Sequence, residues 1–289
     1  MTKQDYLIKN RQTLELIAKQ LKESSLRSGF HLRDIKSACI DLLEHFESLL
    51  LSPLDQSENV VSELSDLLEK LHGAANQIEK LYPKKWTEAA TDQLMAKFLD
   101  YLPSLQEELS LDIQAAMDRD PASTDPLEIA MSYPSIRALS HHRLAHMLFK
   151  EKLPLVPRFI NTLSHQKTGI DIHPGAEIGS SCFIDHGTGV VIGETAVIGD
   201  HCTLYQGVTL GAKSFPKNPD GTIIKGQVRH PTLESHITVY AGATILGAIT
   251  IGHHSIIGGN VWLTQSLPAY SRIQQSRYQQ NFFTNGDGI

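Results

Sequence analysis

The sequence predicts an α + β protein: an all-helical domain (1–165), a parallel β-helix with three flat faces (166–272) and a C-terminal tail (273–289). Aliphatic residues have helical spacing in the first half of the chain, whereas in the second half they recur every six positions. A period of six suits neither an amphipathic helix nor an alternating strand. It suits a solenoid in which each face contributes one buried aliphatic side chain. One long polar loop is expected to protrude from this solenoid.

Amphipathic patterns predict the first helices of the N-terminal domain. Leucines at helical spacing predict helices over 33–51 and 60–81. A third helix is expected over 91–117, where Pro103 kinks or divides it because proline removes a hydrogen-bond donor.

Prolines and a capping residue predict how this domain continues. Asp125 followed by Pro126 is typical of a helix start, with the acid as N-cap. A fifth helix is expected to begin at Pro134. Pro154 and Pro157 are expected to punctuate an irregular connector that leads into the repeat.

The six-residue repeat runs from Ile172 to Leu263 and is interrupted twice. The first interruption adds two residues to one coil within the segment 185–189. The second is the excursion 212–228, which is rich in Gly, Pro, Lys and Asn and is expected to be an exposed loop. It ends at the segment 229–231, Arg-His-Pro. Polar residues that could carry chemistry collect at both interruptions.

Bulk composition narrows the class of protein. A formal net charge of -6 gives no electrostatic footprint for nucleic acid or for an anionic membrane. The N-terminus has no apolar signal region and no stretch approaches a membrane span, so a cytoplasmic location is expected. Cys39, Cys182 and Cys202 are not closely spaced, and the latter two occupy small inward positions of the repeat. Core packing is therefore expected, with no disulfide framework.

Motifs between residues 119 and 263 resemble the bacterial serine acetyltransferases of the hexapeptide-repeat acyltransferase superfamily. In chain order these motifs are Arg119-Asp120-Pro121-Ala122, Arg143 with His146, Asp171-Ile172-His173-Pro174, Asp185-His186-Gly187-Thr188-Gly189, Gly193-Glu194-Thr195-Ala196, Gln206-Gly207-Val208-Thr209-Leu210-Gly211, Arg229-His230-Pro231 and Ile245-Leu246-Gly247. The resemblance implies a left-handed parallel β-helix. It also implies acetyl transfer from acetyl-CoA to the hydroxyl of L-serine, with L-cysteine as a competing feedback inhibitor.

Such a reaction needs a base to take the hydroxyl proton. Imidazole is suited because its pKa lies near the working pH. His186 lies in the first interruption, where the backbone leaves the flat face and can direct a side chain outward. Asp171 lies roughly one coil earlier, where its carboxylate could fix the tautomer of His186. These two residues are the expected catalytic pair.

The resemblance also implies the residues that bind serine. Asp120 and Asp185 correspond to the family positions that hold the amino group. Arg229 and His230 correspond to positions that bind the carboxylate and flank the reacting side chain. Arginine suits a carboxylate because its planar fork donates two parallel hydrogen bonds.

Acetyl-CoA is the implied co-substrate, and no permanently bound cofactor or metal is expected. Ala241, Gly242, Gly258 and Gly259 are the expected contacts of its pantetheine arm, because small side chains allow close approach. Two segments depart from the family pattern. The segment 271–277 lacks the Gly and Pro of the family stretch near the coenzyme, and the 212–228 loop is longer than usual.

Assembly and a protein partner are implied as well. Solenoids of this kind pack side to side as homotrimers, and the helical domain would join two trimers. The final residues Gly286-Asp287-Gly288-Ile289 resemble the family's docking tail, so Ile289 is expected to enter the active site of O-acetylserine sulfhydrylase.

Three alternatives remain open at this point. The acceptor could be homoserine, a sugar or an amino sugar. The chain could be a β-helical carbonic anhydrase, which holds zinc between subunits, with His186, His230 and His236 as ligands. It could also be a scaffold that works through its tail.

Other histidines are expected to have no metal role. His141, His142 and His146 share a helix, and a helical surface or a subunit contact is expected rather than a metal cluster. His253 and His254 are expected to face solvent or an interface.

Overall fold

The computed structural model describes residues 32–51 and 60–275, together with Arg11 and Glu15. Within these residues, helices are followed by a parallel β-solenoid of about five turns. The helices are α1 (Leu32–Leu51), α2 (Val60–Leu81), α3 (Glu88–Arg119), α4 (Pro126–Ser132), α5 (Pro134–Lys150) and α6 (Val156–Thr168). None of the described helices is long and apolar enough to cross a membrane. Ile289 and most of the expected tail lie outside the described residues.

The structure narrows one expectation about the helices and corrects another. Helix α3 is one continuous helix that contains Pro103, so it is not divided there. The expected connector after Pro154 is wrong, because α6 begins at Val156 and Pro157 lies in its first turn. Proline is tolerated in a first turn, since the backbone N–H groups there have no intrahelical partner. The helical domain therefore extends to Thr168.

The solenoid has three parallel sheets, which we call faces. Face 1 contains β1 (Asp171–Ile172), β4 (Val191–Ile192), β7 (Thr209–Gly211), β10 (Thr244–Leu246) and β13 (Trp262–Leu263). Face 2 contains β2 (Glu177–Ile178), β5 (Val197–Ile198), β8 (Thr232–Leu233) and β11 (Thr250–Ile251). Face 3 contains β3 (Phe183–Asp185), β6 (Thr203–Tyr205), β9 (Thr238–Val239), β12 (Ile256–Ile257) and β14 (Arg272–Ile273). Between the faces the chain turns at three corners. We call the turn from face 1 to face 2 the 1/2 corner, the turn from face 2 to face 3 the 2/3 corner, and the turn from face 3 to face 1 of the next coil the 3/1 corner.

The repeat forms the core of the prism. The repeating aliphatic residues point inward, and Ile192, Leu204 and Ile245 are examples that are almost fully buried. Burying one such side chain contributes about 1.5–3 kcal/mol. Cys182 and Cys202 are fully buried free thiols, as the packing interpretation predicted.

A buried ion pair joins the helical domain to the prism. Arg143 of α5 donates from Nε and Nη2 to both carboxylate oxygens of Asp112 in α3, and its Nη2 also donates to the carbonyl of Gly179. Asp112 in turn accepts from the backbone N–H of Cys182 at 2.9 Å. Because this group connects α3, α5 and the first coil, it fixes the end of α3 against the solenoid.

The expectation that His141 and His142 lie on a helical surface is wrong. His141 is 0% exposed and its Nε2 lies 2.6 Å from the carboxylate of Glu47 in α1. His142 is 5% exposed. Helix α5 is packed between the helical core and the first coil, so it has little free surface.

Candidate active site

The two extra residues of the first interruption form a turn at the 3/1 corner. His186 and Gly187 have φ angles of 58° and 82°, in the left-handed region. A Cβ on Gly187 would lie 2.4 Å from Cδ1 of Ile170, so glycine avoids both this overlap and the strain of a positive φ. The turn directs the imidazole of His186 into solvent, where the side chain is 71% exposed.

Two carboxylates from different domains lie beside this imidazole. Asp185 Oδ1 is 3.6 Å from His186 Nδ1. Asp120, the C-cap of α3, accepts hydrogen bonds from the Ala122 N–H at 2.8 Å and from the Tyr133 hydroxyl at 2.7 Å. Because His186 also acts electrostatically on Asp120, all three side chains lie at the same corner.

The ionisation of this group follows from its hydrogen bonds. Donation from the Tyr133 hydroxyl, and then from Ala122, lowers the pKa of Asp120, and the nearby His186 contributes further. The same bond raises the pKa of Tyr133 to about 12. Asp120 is thus a carboxylate at neutral pH while Tyr133 stays a donor. A site with two carboxylates and one imidazole can bind a cation beside a base.

Tyr133 was not identified from the sequence. It lies between α4 and α5, outside the six-residue repeat, and only the folded chain brings it to Asp120.

Arg119 anchors the helical side of the site. Its Nη1 donates to the carbonyl of Ser181 at 3.1 Å, to that of Cys202 at 3.2 Å and to the hydroxyl of Thr203 at 3.2 Å. These acceptors belong to the first two coils of the solenoid. Since Asp120 is the next residue, this contact places its carboxylate against the 3/1 corner.

Asp171 has a different partner from the expected one. It pairs in register with Val191 on face 1, and its Oδ1 accepts from Asn161 Nδ2 at 3.2 Å. No hydrogen bond joins Asp171 to His186 among the described residues, and the carboxylate beside His186 is that of Asp185.

Arg229 and His230 lie at the 1/2 corner. Arg229 pairs with Glu194, and its backbone N–H donates to Thr195 Oγ1 at 2.9 Å. His230 Nδ1 accepts from the Thr195 hydroxyl at 2.9 Å, and its ring fills the space beside Gly193. Burial, and then Arg229, lowers the pKa of His230.

One chain does not bring the group around His186 together with the pair Arg229 and His230. Strand β4 separates the 3/1 corner from the 1/2 corner, and three residue steps of extended chain alone span about 10 Å. The ammonium and carboxylate of an α-amino acid are attached to one carbon, so one serine cannot contact both corners of the same chain.

The expected acetyl-CoA residues lie at the 3/1 corner, on coils after that of His186. The backbone N–H of Gly242 donates to the Gln206 carbonyl, and Gly242 has a φ of 68°. Ala241, Gly258 and Gly259 belong to the same corner. They form an edge of small side chains along the solenoid axis.

Tyr205 and Tyr240 border this edge and were also not identified from the sequence. Their rings stack with centroids 5.0 Å apart and an interplanar angle of 16°. The repeat contained the signal, because Asp185, Tyr205 and Tyr240 each follow the buried aliphatic residue of face 3.

The histidines of the zinc alternative lie at three different corners. His186 is at the 3/1 corner and His230 at the 1/2 corner, whereas His236 is at the 2/3 corner and stacks between His201 and His254. In the described part of the chain, no three His, Cys, Asp or Glu residues are arranged to hold a metal ion. Nothing in this geometry favours the carbonic anhydrase alternative.

A helical domain joined to a hexapeptide-repeat β-solenoid defines the structural class, and comparisons with known proteins give the family. No family model matches the chain. The chain is 54% identical over 197 residues to the plasmid serine acetyltransferase of Synechococcus elongatus, which covers 68% of this chain. The chain spans 62% of the length of that relative, less than two thirds.

Solved structures extend the comparison over both domains. Isoform 3 of the Entamoeba histolytica serine acetyltransferase, in complex with cysteine, is 34% identical with a TM-score of 0.73, and 84% of each chain is covered. The soybean serine acetyltransferase complexed with serine is 25% identical with a TM-score of 0.56, covering 83% of this chain and 95% of its own. The chain belongs to the serine acetyltransferase family.

Proposed function

We propose that this protein transfers the acetyl group of acetyl-CoA to the hydroxyl of L-serine, giving O-acetyl-L-serine and CoA. The observation that carries the proposal is that Asp120 and Asp185 meet beside His186 at one corner. Two carboxylates suit the ammonium group of an amino acid, and the exposed imidazole suits a general base. Family membership and the serine bound by the soybean relative support this acceptor.

In the proposed mechanism, His186 is the general base. Serine Oγ attacks the thioester carbonyl carbon while its proton passes to the His186 imidazole. A C–O bond forms, and the tetrahedral intermediate collapses as the C–S bond breaks. The CoA thiolate then takes the proton from His186. A base in this role contributes about 10²–10⁴-fold in rate, and positioning of the two substrates supplies much of the remainder.

We assign separate roles to the neighbouring carboxylates. Asp120 and Asp185 bind the serine ammonium. The role of Asp171 rests on the family resemblance alone, because within one chain its carboxylate contacts Asn161 and not His186: it would orient the imidazole and stabilise its charged form. The two roles have different kinetic signatures: Asp185→Asn should mainly raise the serine KM, and Asp171→Asn should mainly lower kcat. A large rise in serine KM without loss of kcat in Asp171→Asn would contradict this assignment.

We propose that a second copy of the chain completes the site. Arg229 and His230 would bind the serine carboxylate and flank its hydroxyl from the 1/2 corner of a neighbouring solenoid. Side-by-side packing in a homotrimer, alone or as a dimer of trimers, would bring the two corners together. The separation of both half-sites by β4 supports this arrangement.

Complementation between inactive variants tests the shared site. His186→Ala and Arg229→Ala should each be inactive alone, but mixed trimers produced by co-expression should regain activity, because some sites then combine two intact halves. Mixed trimers that remain inactive, with both variants folded and assembled, would contradict the shared site.

The remaining ligands follow from the same site. Acetyl-CoA would lie along Ala241, Gly242, Gly258 and Gly259, as a substrate rather than a bound cofactor. L-cysteine has the same ammonium and carboxylate as serine, so we propose that it competes there, and the cysteine bound by the Entamoeba relative supports this. We also propose that Ile289 docks into O-acetylserine sulfhydrylase; deleting it should abolish binding, and unchanged binding would contradict this role.

Thiol release from acetyl-CoA with serine tests the central proposal. The wild-type protein should release CoA with serine, less so when cysteine is added, and His186→Ala should lower turnover by about 10²–10⁴-fold. His201→Ala is a matched control, because His201 is also at a corner with a φ of 58°. Near-normal activity of His186→Ala would contradict the assignment of His186 as the general base. Turnover of homoserine or a sugar without activity on serine would change the acceptor.

A further inference from the structure

The stacked rings of Tyr205 and Tyr240 continue directly from the acceptor site. Tyr205 is the register partner of Asp185 in the neighbouring strand, and Tyr240 occupies the same position one coil further on. Tyr240 is 43% exposed. Neither hydroxyl has a hydrogen-bond partner among the described residues. A half-buried ring and an exposed ring, both with unpaired hydroxyls, therefore lie beside the proposed reaction centre.

The next coil leaves one side of this stack open. Register places Gly258 after Tyr240 on face 3, so the residue of the next coil offers no side chain to the far side of the Tyr240 ring. Along the adjacent row, the residues after His186 are Gln206, Ala241 and then Gly259. Side chains become smaller along this row, so the surface of the corner recedes beside the tyrosine stack toward the later coils.

The helical domain closes one end of the corner to the acyl donor. Its carbonyl carbon must come within about 3–3.5 Å of the acceptor oxygen beside His186. The first coil ends at the helical domain, where Asp120 and Tyr133 occupy the corner. Along the solenoid axis, the rest of the donor can therefore extend only toward the later coils, past Tyr205 and Tyr240.

We infer that Tyr205 and Tyr240 form one wall of the channel for the thioester donor, with Tyr205 dividing the ammonium pocket from the donor and Tyr240 packing against its arm. This inference rests on the proposed function. The methylene groups of a pantetheine-like arm can pack on the exposed ring, and its amide carbonyls can accept from the unpaired hydroxyls. Burial, and then Asp185, raises the pKa of Tyr205, so its hydroxyl remains a donor at neutral pH.

Kinetic constants of tyrosine variants distinguish this wall from a structural role. Tyr240→Ala should raise the KM for acetyl-CoA about tenfold and leave the KM for serine within about twofold, because loss of one packed ring amounts to about 1.4 kcal/mol. Tyr240→Phe should keep a KM for acetyl-CoA near that of the wild-type protein, because the ring still packs and only the hydroxyl contact is lost. Tyr205→Ala should raise both KM values, since its ring borders both substrates.

Tyr270→Ala is the matched control. Tyr270 is an exposed tyrosine that stacks on His254 with centroids 5.1 Å apart, at the 2/3 corner. Its removal costs a similar stacking contact on the same solenoid but should leave both KM values unchanged. An equal rise in the acetyl-CoA KM in Tyr270→Ala would show a general effect on the solenoid and would contradict the inference that Tyr205 and Tyr240 line the donor channel.

Direct binding separates this inference from the proposed function. Calorimetric titration of acetyl-CoA into the wild-type protein and Tyr240→Ala, without any acceptor, should show about tenfold weaker binding to the variant. Equal affinities would overturn the wall even if serine is acetylated. Weaker binding together with no turnover of serine would support the wall and refute only the acceptor.

Discussion

At the scale of single residues, Asp120 shows how the helical domain contributes to the site. Its carboxylate is held by the Tyr133 hydroxyl and the Ala122 N–H, and Arg119 ties the preceding backbone to the first two coils. These contacts leave the carboxylate ionised and aimed at the 3/1 corner. A charge held in place before the substrate arrives needs little reorganisation on binding.

We predict that Asp120→Asn raises the serine KM by about 10–100-fold with a smaller effect on kcat. Removing one carboxylate removes a hydrogen bond to a charged group, which contributes about 1.5–3 kcal/mol. Steady-state kinetics with serine as the varied substrate measure this. Asp118→Asn is the matched control, because Asp118 is an exposed aspartate two residues earlier that accepts a hydrogen bond from Gln114. Equal serine KM values for both variants would contradict the role of Asp120.

At the scale of elements, the turn at 185–189 converts a packing repeat into a reactive corner. Gly187 allows this turn to close over Ile170, because a Cβ would overlap the isoleucine side chain. The turn is also tied to neighbouring segments, since Gly189 donates to the Gly169 carbonyl and Gly207 donates to that of Thr188. The position of His186 therefore depends on contacts made by the residues that follow it.

We predict that Gly187→Ala destabilises the protein more than Gly221→Ala and also lowers activity. The two glycines have φ angles of 82° and 85°, so an alanine meets similar backbone strain of about 1–2 kcal/mol at both. Only Gly187 has an atom 2.4 Å from the added Cβ, whereas Gly221 has open space within 4 Å. Thermal unfolding and thiol release measure the two effects. Equal melting temperatures would show that contact with Ile170 is unimportant.

The elements also show what could be predicted from sequence. The six-residue repeat predicted the three faces and both interruptions. Helical spacing predicted the helix over 60–81 with the observed bounds. These features depend on neighbours in the chain. The burial of His141 could not be predicted, because it depends on Glu47 in another helix. Tyr133 depends in the same way on Asp120, and Pro157 was misread because a first-turn proline resembles a helix breaker.

At the scale of the whole molecule, histidines couple folding to pH. Burial lowers the pKa of His142, between the helical core and the prism, well below its usual range. Burial, and then Arg158, lowers the pKa of His173 to about 4. His173 Nδ1 accepts the Gly175 N–H at 2.9 Å, so the folded chain holds this ring neutral. Burial also lowers the pKa of His146.

The sign of the pH effect follows from these shifts. Between the lowered folded pKa values and about 6.5, the unfolded chain binds more protons at these histidines than the folded chain, so the free energy of unfolding falls as pH falls. Asp112 acts in the opposite direction, because burial raises its pKa to about 6. One carboxyl opposes several histidines, and each pKa unit corresponds to about 1.4 kcal/mol. Net destabilisation by acid is therefore expected.

We predict that the melting temperature changes little between pH 7.5 and about 6.5 and falls from there to pH 5, and that His173→Asn reduces this fall. The amide oxygen of asparagine can accept the hydrogen bond from the Gly175 N–H at any pH in this range, because an amide does not titrate there. The variant therefore keeps the contact and removes one histidine whose protonation favours the unfolded chain. His72→Asn is the matched control, because His72 lies on the exposed side of α2, where it contacts Asn76. Calorimetric scans across this pH range measure the slope. A slope unchanged by His173→Asn, or reduced equally by His72→Asn, would show that the coupling lies elsewhere in the fold.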